Sequence, residues 1–503
     1  MSLTTVSFFA FLFVSLLLFY LIRPAQKYIL LAASVFFYIC ISPGSKIRVG
    51  IIMLAIGLIT YLGALGISRA KGRLKSASAF LSITALVSLI IIFKLAFNIA
   101  SSFASIFDLQ SDFSWLSFGA VVGMSYYTLS AIGYLIDVYW GNVKADKNIA
   151  EVFLFIFFFP QLISGPISRF DQMQPQFAAP KAFDMDRISL GIRRMAWGYF
   201  KKLVISERFD IIVRGVFFHY EGYSLVGMMT AAICYIIRLY TDFSGCMDII
   251  MGAAYMFGIE LPENFKAPFF SESTQEFWQR WHVTLASWFK DYAMYPLQKT
   301  KLMLNIGKWS KKVLGKKRGK KVPMYLCIIV LWVLIGLWHG GTVYYFFGSG
   351  MFPCTLLILG DAFSPLLGKL NEKLHIDTGR PSWAWFRRAR TVFLISMCWM
   401  VLCTYSMSIY LAMMKFGFTH VCRVVSLDYF LTINSLNYTD VILMITGCVL
   451  LFLSDLCVFR GETIFKVMDR QNAGVRTAVI YAEILTIFLY GMVGSSAFIY
   501  FQF

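Results

Sequence analysis

Charged residues are scarce in this chain of 503 residues: Asp, Glu, Lys and Arg together make up 15% of it, where soluble domains carry about 25%. Hydrophobic residues make up 58%. This composition excludes a soluble enzyme, a disordered protein and a fibrous repeat. The apolar residues run on for about twenty positions instead of alternating with polar ones, which argues against a membrane β-barrel. The sequence therefore predicts an all-α polytopic membrane protein.

Common catalytic signatures are also missing. The chain has no G-x-x-x-x-G-K-[ST] phosphate loop, no G-x-S-x-G nucleophile elbow and no H-E-x-x-H zinc helix. Its ten cysteines form no C-x-x-C pair, which leaves zinc ribbons and thioredoxin-like motifs unsupported. None of the five histidines has an aspartate four or five residues later, as soluble acyltransferases do. We expect no metal and no permanently bound cofactor.

Apolar runs divide the chain into fifteen candidate membrane segments. They lie near 5–22, 28–42, 49–68, 78–98, 115–136, 150–164, 189–206, 208–219, 224–240, 244–259, 323–347, 351–370, 390–414, 438–458 and 476–499. Because several are too short to cross a bilayer alone, we expect roughly eleven to thirteen crossings, together with re-entrant or interfacial helices. The whole chain, 1–503, is predicted to form one membrane domain. Within it, 1–114 supplies N-terminal helices, 115–350 a core and 351–503 C-terminal helices.

The net charge of +19 does not indicate a nucleic-acid partner, because cytoplasmic loops of membrane proteins collect Lys and Arg against anionic lipid. The basic loops predict an N-terminus outside and cytoplasmic loops after the first, third and fifth spans. Lys46 and Arg48 are the exception, because this scheme places them outside. The insert 299–321 holds ten basic residues and no acid, and is predicted to be cytoplasmic. It either anchors the topology on lipid or attracts an anionic donor or acidic carrier protein.

His339 is the first candidate for chemistry. It closes an apolar run that begins near Pro323, in the letters GLWHGG at 336–341. Sixteen residues of upright helix place it roughly 24 Å from the cytoplasmic end, in a hydrocarbon core of ~30 Å. An ionisable group at that depth is costly and is a functional candidate by default. The alternative is a buried imidazole that bonds a neighbouring helix.

His282 is the second candidate, within EFWQRWHVTLASWFKDY at 276–292. The segment is too polar for a span that faces lipid, and it is predicted to be one amphipathic helix, in the interface or along a polar tunnel. Helical spacing places on one face Trp278, His282, Leu285 and Phe289. Tryptophan is also abundant at interfaces for structural reasons, so a structural role stays open.

A third cluster, FPQLISGPISRF at 159–170, ends an apolar run. Two prolines and a glycine predict a broken helix there, which a membrane tolerates only where protein or water covers it. The break is compatible with a re-entrant turn at a site or with a structural turn alone.

Together these segments resemble the membrane-bound O-acyltransferase superfamily, and within it the bacterial branch that acylates cell-envelope polymers. The letters RWH and GLWHG are the most specific part of the resemblance. The stretches that carry it are 124–128, 134–139, 159–170, 277–282, 288–292, 336–340 and 498–503. The resemblance implies a shell of transmembrane and re-entrant helices around a central tunnel.

The resemblance also implies site residues and a reaction. The histidine that corresponds to His339 is catalytic in this family, and the one that corresponds to His282 is usually needed. The expected chemistry is acyl transfer to a hydroxyl, with His339 as the base and a positive charge near the developing oxyanion. Further tunnel or substrate residues are expected to be Arg280, Asp291, Trp338, Trp278 and Gln161.

The donor and partner follow from the same resemblance. The expected donor is acetyl-CoA or an acyl-carrier protein, reached from the cytoplasm. The expected partner is an extracytoplasmic SGNH-type transferase that modifies an envelope polysaccharide, with the chain as a multi-pass protein of the bacterial cytoplasmic membrane.

Two observations keep alternatives open. After Gly340 the chain lacks the second Leu-Tyr-His-Gly that the acetylation proteins tend to have, and its Thr342, Tyr344 and Tyr345 are closer to the teichoic-acid D-alanylation protein. Acetyl transfer remains the favoured reaction, with D-alanyl transfer as the alternative. A transporter or flippase for an acylated or lipid-linked carrier, or a scaffold for the extracytoplasmic enzyme, are alternatives of other classes.

Overall fold

The computed structural model describes residues 1–42, 45–107, 121–421, 427–493 and 498. These residues form helices joined by short connections, and the described part of the chain contains no strand beyond one isolated bridge between Phe265 and Trp281. The predicted all-α class is therefore confirmed. Phe498 is the one described residue of the C-terminal stretch 498–503. The predicted segments 115–136 and 476–499 lie only partly within the described residues.

Twelve helices lie within the described residues of the first half of the chain. They are α1 (Val6–Leu21), α2 (Gln26–Ile41), α3 (Lys46–Arg69), α4 (Gly72–Ile90), α5 (Ala96–Ile106), α6 (Met124–Trp140), α7 (Ile149–Phe157), α8 (Phe159–Leu162), α9 (Phe170–Ala178), α10 (Met185–Tyr199), α11 (Glu207–Phe218) and α12 (Leu225–Met256). Two π-helical segments, Ile91–Leu95 and Phe200–Ser206, connect α4 to α5 and α10 to α11.

The second half begins with short helices and continues with longer ones. They are α13 (Thr274–Arg280), α14 (Val283–Phe289), α15 (Tyr295–Gln298), α16 (Lys301–Gly319), α17 (Lys321–His339), α18 (Val343–Tyr345), α19 (Phe352–Lys373), α20 (Pro381–Cys403), α21 (Met407–Thr419), α22 (Leu427–Ile433), α23 (Tyr438–Phe459), α24 (Ile464–Asp469) and α25 (Ala473–Tyr490). Lys290–Met294 and Phe346–Met351 are π-helical. Short 3-10 turns lie at Arg23–Ala25, Tyr220–Gly222 and Pro268–Phe270.

Eight helical segments of the described chain are long and apolar enough to cross a membrane. They are Arg23–Ile41, Lys46–Arg69, Gly72–Ala104, Leu225–Met256, Lys321–His339, Val343–Lys373, Tyr438–Phe459 and Ala473–Tyr490. Helix α1 is apolar but shorter. The chain is thus a multi-pass membrane protein, while the number of eleven to thirteen crossings stays a prediction.

The chain divides into two compact units. The first comprises Met1–Leu203, Asp242–Glu263 and Met468–Phe503, and the second comprises Val204–Thr241 and Asn264–Val467. Both histidines of the predicted site belong to the second unit, and Gln161 belongs to the first.

Glycine allows a close helix crossing in the first unit. A Cβ at Gly198 would lie 2.6 Å from the carbonyl oxygen of Gly245, and one at Gly252 would lie 2.5 Å from the carbonyl oxygen of Gly191. Glycines seven residues apart on α10 and on α12 therefore let the two backbones touch, as small residues do in membrane helix pairs.

Buried charges accompany this crossing. Lys202 Nζ lies 2.6 Å from a carboxylate oxygen of Asp242, with 2% and 1% of the two side chains exposed. Arg194 bonds Asp248 at 2.9 Å, and Lys201 pairs with that same carboxylate. The sequence predicted two separate segments, 224–240 and 244–259, but α12 is one helix across both. Its polar residues do not end the helix, because they find partners inside the protein.

Most of the basic insert 299–321 is helical, as α16 (Lys301–Gly319). Helix α16 begins after Thr300, whose hydroxyl accepts a hydrogen bond from the N–H of Met303, and it bends at Gly315, where φ is 77°. Lysines alternate along it with exposed apolar side chains such as Trp309 and Val313. Apolar and basic side chains on one exposed helix are typical of a helix that lies in the membrane interface.

Candidate functional site

His282 lies at a break between two short helices. Helix α13 ends at Arg280, Trp281 is extended, and His282 has left-handed backbone angles, φ 47° and ψ 51°, before α14 begins. The prediction of one amphipathic helix through this segment was therefore wrong. The face on which the sequence analysis placed Trp278, His282, Leu285 and Phe289 does not exist as one helical stripe.

The loop that precedes α13 causes the break. The N–H of Lys266 donates to the carbonyl oxygen of Arg280 at 3.0 Å, and the N–H of Val283 donates to that of Asn264 at 2.9 Å. Phe265 pairs with Trp281 in an antiparallel bridge. These bonds satisfy backbone groups that a continuous helix would have satisfied internally, so the chain turns a corner at His282.

Asn264 fixes the protonation of the His282 ring. Its Oδ1 accepts from the backbone N–H of Thr284 at 3.2 Å and from the hydroxyl of Thr284 at 2.9 Å. A backbone N–H can only donate, so the atom that it meets must be the amide oxygen. His282 Nδ1 lies 3.1 Å from the same oxygen. Nδ1 must therefore carry the hydrogen, which leaves the lone pair of the neutral ring on Nε2.

The surroundings of His282 keep the ring neutral. Only 4% of the residue is exposed. Burial lowers the pKa of His282 well below its ordinary value, and the neighbouring charge of His339 lowers it further. A neutral imidazole with its lone pair on Nε2 can accept a hydrogen bond or a proton from a substrate hydroxyl.

Trp338 lies close to both histidine rings. Its ring centroid is 6.3 Å from that of His282 and 4.9 Å from that of His339, and the indole is buried. His339 is the last residue of α17 and is half-buried. The structure thus brings together His282, Trp338 and His339, which the sequence predicted from two segments more than fifty residues apart.

Glycines position His339. A Cβ at Gly336 would lie 3.1 Å from the carbonyl oxygen of Phe346 and 3.2 Å from Cα of Gly350. Helix α17 can therefore lie directly against the π-helical segment Phe346–Met351. After His339, a Cβ at Gly340 would lie 2.7 Å from the Tyr345 ring. That ring is nearly parallel to the His339 ring, at an angle of 17° and a centroid distance of 6.3 Å.

Aromatic side chains pack around the corner at Trp281. Trp399 is buried, and its ring centroid lies 5.0 Å from that of Trp281 and 5.8 Å from that of Trp278. Trp278 also lies 4.7 Å from the buried Trp332 on α17. Trp278 therefore packs α13 against α17 and α20, which places it beside the site in a supporting position.

The other predicted residues have different surroundings. Arg280 pairs with Glu276 at 2.8 Å and lies over the Phe459 ring at 5.3 Å, so its charge is already engaged. Asp291 is half-buried in the π-helical segment Lys290–Met294. In the first unit, Gln161 is buried in α8 and donates to the carbonyl oxygen of Phe155 at 2.6 Å. The break predicted at 159–170 is confirmed and is buried in protein.

Asn264 was not found from the sequence. It precedes α13 by a stretch without helical periodicity, and no motif marks it. A polar residue in a loop shortly before an apolar-aromatic helix was the only available signal. Among the described residues, no group of three or more His, Cys, Asp or Glu side chains could hold a metal ion.

Comparison with known proteins gives the family. The model of the MBOAT, membrane-bound O-acyltransferase family matches residues 144–306. A probable alginate O-acetylase AlgI from Pseudomonas syringae pv. tomato is 30% identical over 427 residues, which cover 82% of this chain and 75% of the relative. The chain belongs to the membrane-bound O-acyltransferase family. It is therefore an O-acyltransferase of the membrane.

Other relatives of this O-acyltransferase are named for other acceptor polymers. A peptidoglycan O-acetyltransferase from Helicobacter pylori is 29% identical over 372 residues, 67% of this chain and 66% of the relative. A teichoic acid D-alanyltransferase from Bacillus subtilis is 28% identical over 224 residues, 44% of this chain and 53% of the relative. The region matched by the family model contains Asn264 and His282, and His339 lies beyond it. The catalytic roles of both histidines stay predictions.

Proposed function

We propose that this O-acyltransferase takes an acetyl group from acetyl-CoA at the cytoplasmic side and passes it across the membrane for O-acetylation of a cell-envelope polysaccharide. An extracytoplasmic SGNH-type transferase completes the transfer, and the protein works in the bacterial cytoplasmic membrane. The names of the alginate and peptidoglycan relatives support the reaction and the class of acceptor.

The observation that carries the proposal is the pair of imidazoles around Trp338. His339 removes the proton from the hydroxyl that takes the acetyl group for hand-over to the partner, as that oxygen attacks the acetyl carbonyl carbon. The C–S bond of the thioester breaks, and the proton passes to the departing thiolate of coenzyme A. His282, held as the Nδ1–H form by Asn264, accepts a hydrogen bond at Nε2 and orients the substrate. Buried aromatic rings exclude water, which would otherwise compete as the acceptor.

The basic helix α16 suits an anionic donor. Its lysines are exposed and stand directly before α17, the helix that ends at His339. Acetyl-CoA and acyl-carrier proteins are both anionic, so clustered lysines raise the local concentration of either. A carrier protein is therefore the alternative donor.

D-alanyl transfer toward teichoic acid is the second candidate. The Bacillus subtilis D-alanyltransferase matches 44% of this chain, and Tyr345 lies against His339 at the point where the sequence departs from the acetylation proteins. Acetyl transfer is favoured because the alginate relative covers 82% of the chain. Transport of a lipid-linked carrier without chemistry is not favoured, because the family is one of acyltransferases.

The decisive experiment compares donors in membranes that contain the protein and its partner. Radiolabelled acetyl-CoA and a D-alanyl carrier protein are supplied in turn, and base-labile label on the polymer is counted. We expect transfer from acetyl-CoA and a fall of about 10²–10⁴-fold in His339→Ala, the usual contribution of a general base. His219→Ala is the matched control, because His219 is exposed at the end of α11.

Two results would contradict the proposal. Transfer from the carrier protein alone would replace acetylation by D-alanylation. Full transfer from acetyl-CoA in His339→Ala would leave the activity in place and remove His339 from the role of base.

A further inference from the structure

Helices α1 and α2 enclose a groove in the first unit. Its volume is about 970 Å³, at the upper end of the range for ligand pockets. We call it the α1–α2 groove, and the residues that line it are Met1, Ser7, Ala10, Phe11, Val14, Ser15, Leu18, Ile29, Ala32, Ala33, Phe36, Ile39, Cys40 and Lys46. Apart from two serines and one lysine, these side chains are apolar.

Small side chains on both helices create the groove. Ala10 on α1 and Ala32 on α2 are exposed to it, while Phe11 and Ala33 form its buried floor. The rings of Phe11 and Phe36 stack at a centroid distance of 6.0 Å and join the two helices. The groove therefore has a fixed floor and an open side.

The length of the groove matches one leaflet of a bilayer. The α1 residues that line it run from Ser7 to Leu18, and eleven helical steps at ~1.5 Å are about 16 Å. Half of a hydrocarbon core of ~30 Å is about 15 Å. An apolar groove of that length, open on one side, fits a lipid acyl chain that lies along the helices.

A basic group stands at one end. Lys46, the first residue of α3, lines the groove together with Cys40 near the end of α2. Its ammonium has three donors, of which one bonds the carbonyl oxygen of Ser42 at 2.6 Å. Lys46 is exposed, and no carboxylate of the described residues pairs with it.

We propose that the α1–α2 groove is a binding site for an anionic membrane phospholipid, with one acyl chain along the groove and the phosphate at Lys46. The charge at the end of an apolar groove matches the two chemical parts of such a lipid. The site also explains why the loop with Lys46 departs from the positive-inside pattern, since the lysine then serves lipid binding. The proposal does not depend on the acyl-transfer reaction.

Native mass spectrometry of the full chain in mild detergent tests the site. The protein is titrated with phosphatidylglycerol and with phosphatidylcholine of the same acyl chains, and bound lipid is counted. We expect tighter retention of phosphatidylglycerol, and its loss in Ala10→Trp and in Ala32→Trp, whose indoles fill the groove from opposite walls. Lys46→Gln should weaken phosphatidylglycerol binding about fivefold and leave phosphatidylcholine unchanged.

Matched controls keep the test specific. Leu62→Trp adds an indole on an exposed position of α3 that does not line the groove, and Lys71→Gln removes an exposed charge beyond the other end of that helix. Both should bind as the unaltered protein does. Equal retention of the two lipids, retention of phosphatidylglycerol in both indole variants, or an unchanged affinity in Lys46→Gln would overturn the proposal.

Discussion

Replacing Asn264 should disable His282 while leaving both histidines in the chain. The amide oxygen of Asn264 holds the hydrogen of the His282 ring on Nδ1 and bonds the N–H and hydroxyl of Thr284. In Asn264→Ala these three donors lose the acceptor that the amide oxygen supplies. The imidazole can then move its hydrogen to Nε2, which removes the lone pair that the proposed mechanism uses.

The contacts of Asn264 determine how much stability and how much activity the variant should lose. The hydroxyl of Thr284 can rotate toward another acceptor and the His282 ring can change tautomer, but the backbone N–H of Thr284 is fixed. A buried donor that loses its acceptor costs about 1–3 kcal/mol, so Asn264→Ala should lose about 1–3 kcal/mol of unfolding free energy. The transfer rate per folded molecule should fall about 10²-fold, the cost of a misplaced substrate, because His282 orients the substrate and is not the base. In the Ser-His-Asp triad of chymotrypsin-like proteases, the wrong tautomer costs about 10⁴-fold.

Asn264→Asp tests how a nearby negative charge affects His282 while the tautomer of the ring stays the same. A carboxylate still accepts from Nδ1–H, so the lone pair stays on Nε2. Its negative charge favours the protonated imidazole and raises the pKa of His282 from its present depressed position. The neutral ring then forms only at higher pH, so the acidic limb of the pH–rate profile should move to higher pH.

The assay is transfer of radiolabelled acetyl from acetyl-CoA, normalised to folded protein from thermal unfolding. Asn434→Ala is the matched control, because this buried amide in the same unit bonds the hydroxyl of Tyr223 and the carbonyl oxygen of Phe430. It should lose stability and keep its rate. A full transfer rate in Asn264→Ala would refute the tautomer argument.

Three further substitutions test the packing around the site and in the first unit. Gly336→Ala forces α17 away from the segment Phe346–Met351 and should cost about 1–3 kcal/mol, while Gly360→Ala, with open space around its Cβ, should not destabilise in the same thermal unfolding assay. Lys202→Met removes the ammonium that pairs with the buried carboxylate of Asp242 and should cost about 3–5 kcal/mol of unfolding free energy. Adding Asp242→Leu should recover most of it. Arg280→Gln should lose at most about 1 kcal/mol of unfolding free energy, because its pair with Glu276 is partly exposed. A fall in transfer rate beyond about tenfold would mean that the guanidinium contributes to transfer, either in the chemistry or through the orientation of His282.

Composition and apolar runs predicted the all-α membrane fold because a bilayer imposes helix on every long apolar segment. The same rule misplaced the boundary within α12. The sequence places polar residues at positions 241, 242 and 244, and a helix that faces lipid would end there. In the structure Asp242 bonds Lys202 and Ser244 bonds Lys201 at 2.9 Å, so the polar residues are satisfied and the helix continues. Pairing between distant segments cannot be seen in a hydropathy pattern.

The two histidines were found because ionisable groups in apolar surroundings are rare and costly. Their geometry was not found. Periodicity assumes continuous helix, while the corner at His282 depends on backbone bonds from Asn264 and Lys266. These residues lie in a loop, where no periodic pattern operates.

Because of the corner, the three residues of the motif Arg280-Trp281-His282 have different surroundings. In a continuous helix, Arg280 and His282 would lie two positions apart at about 200° around the axis. With the break, Arg280 bonds Glu276 and the carbonyl oxygen of Lys266. Trp281 packs against Trp399, and His282 turns to Asn264. Each of the three residues makes its own contacts at the corner. The motif Arg-Trp-His therefore indicates a backbone conformation as much as a set of catalytic groups. A substitution at Arg280 or Trp281 that lowers activity can therefore act through the orientation of the imidazole, and only a change in the pH–rate profile without a change in stability would separate chemistry from position.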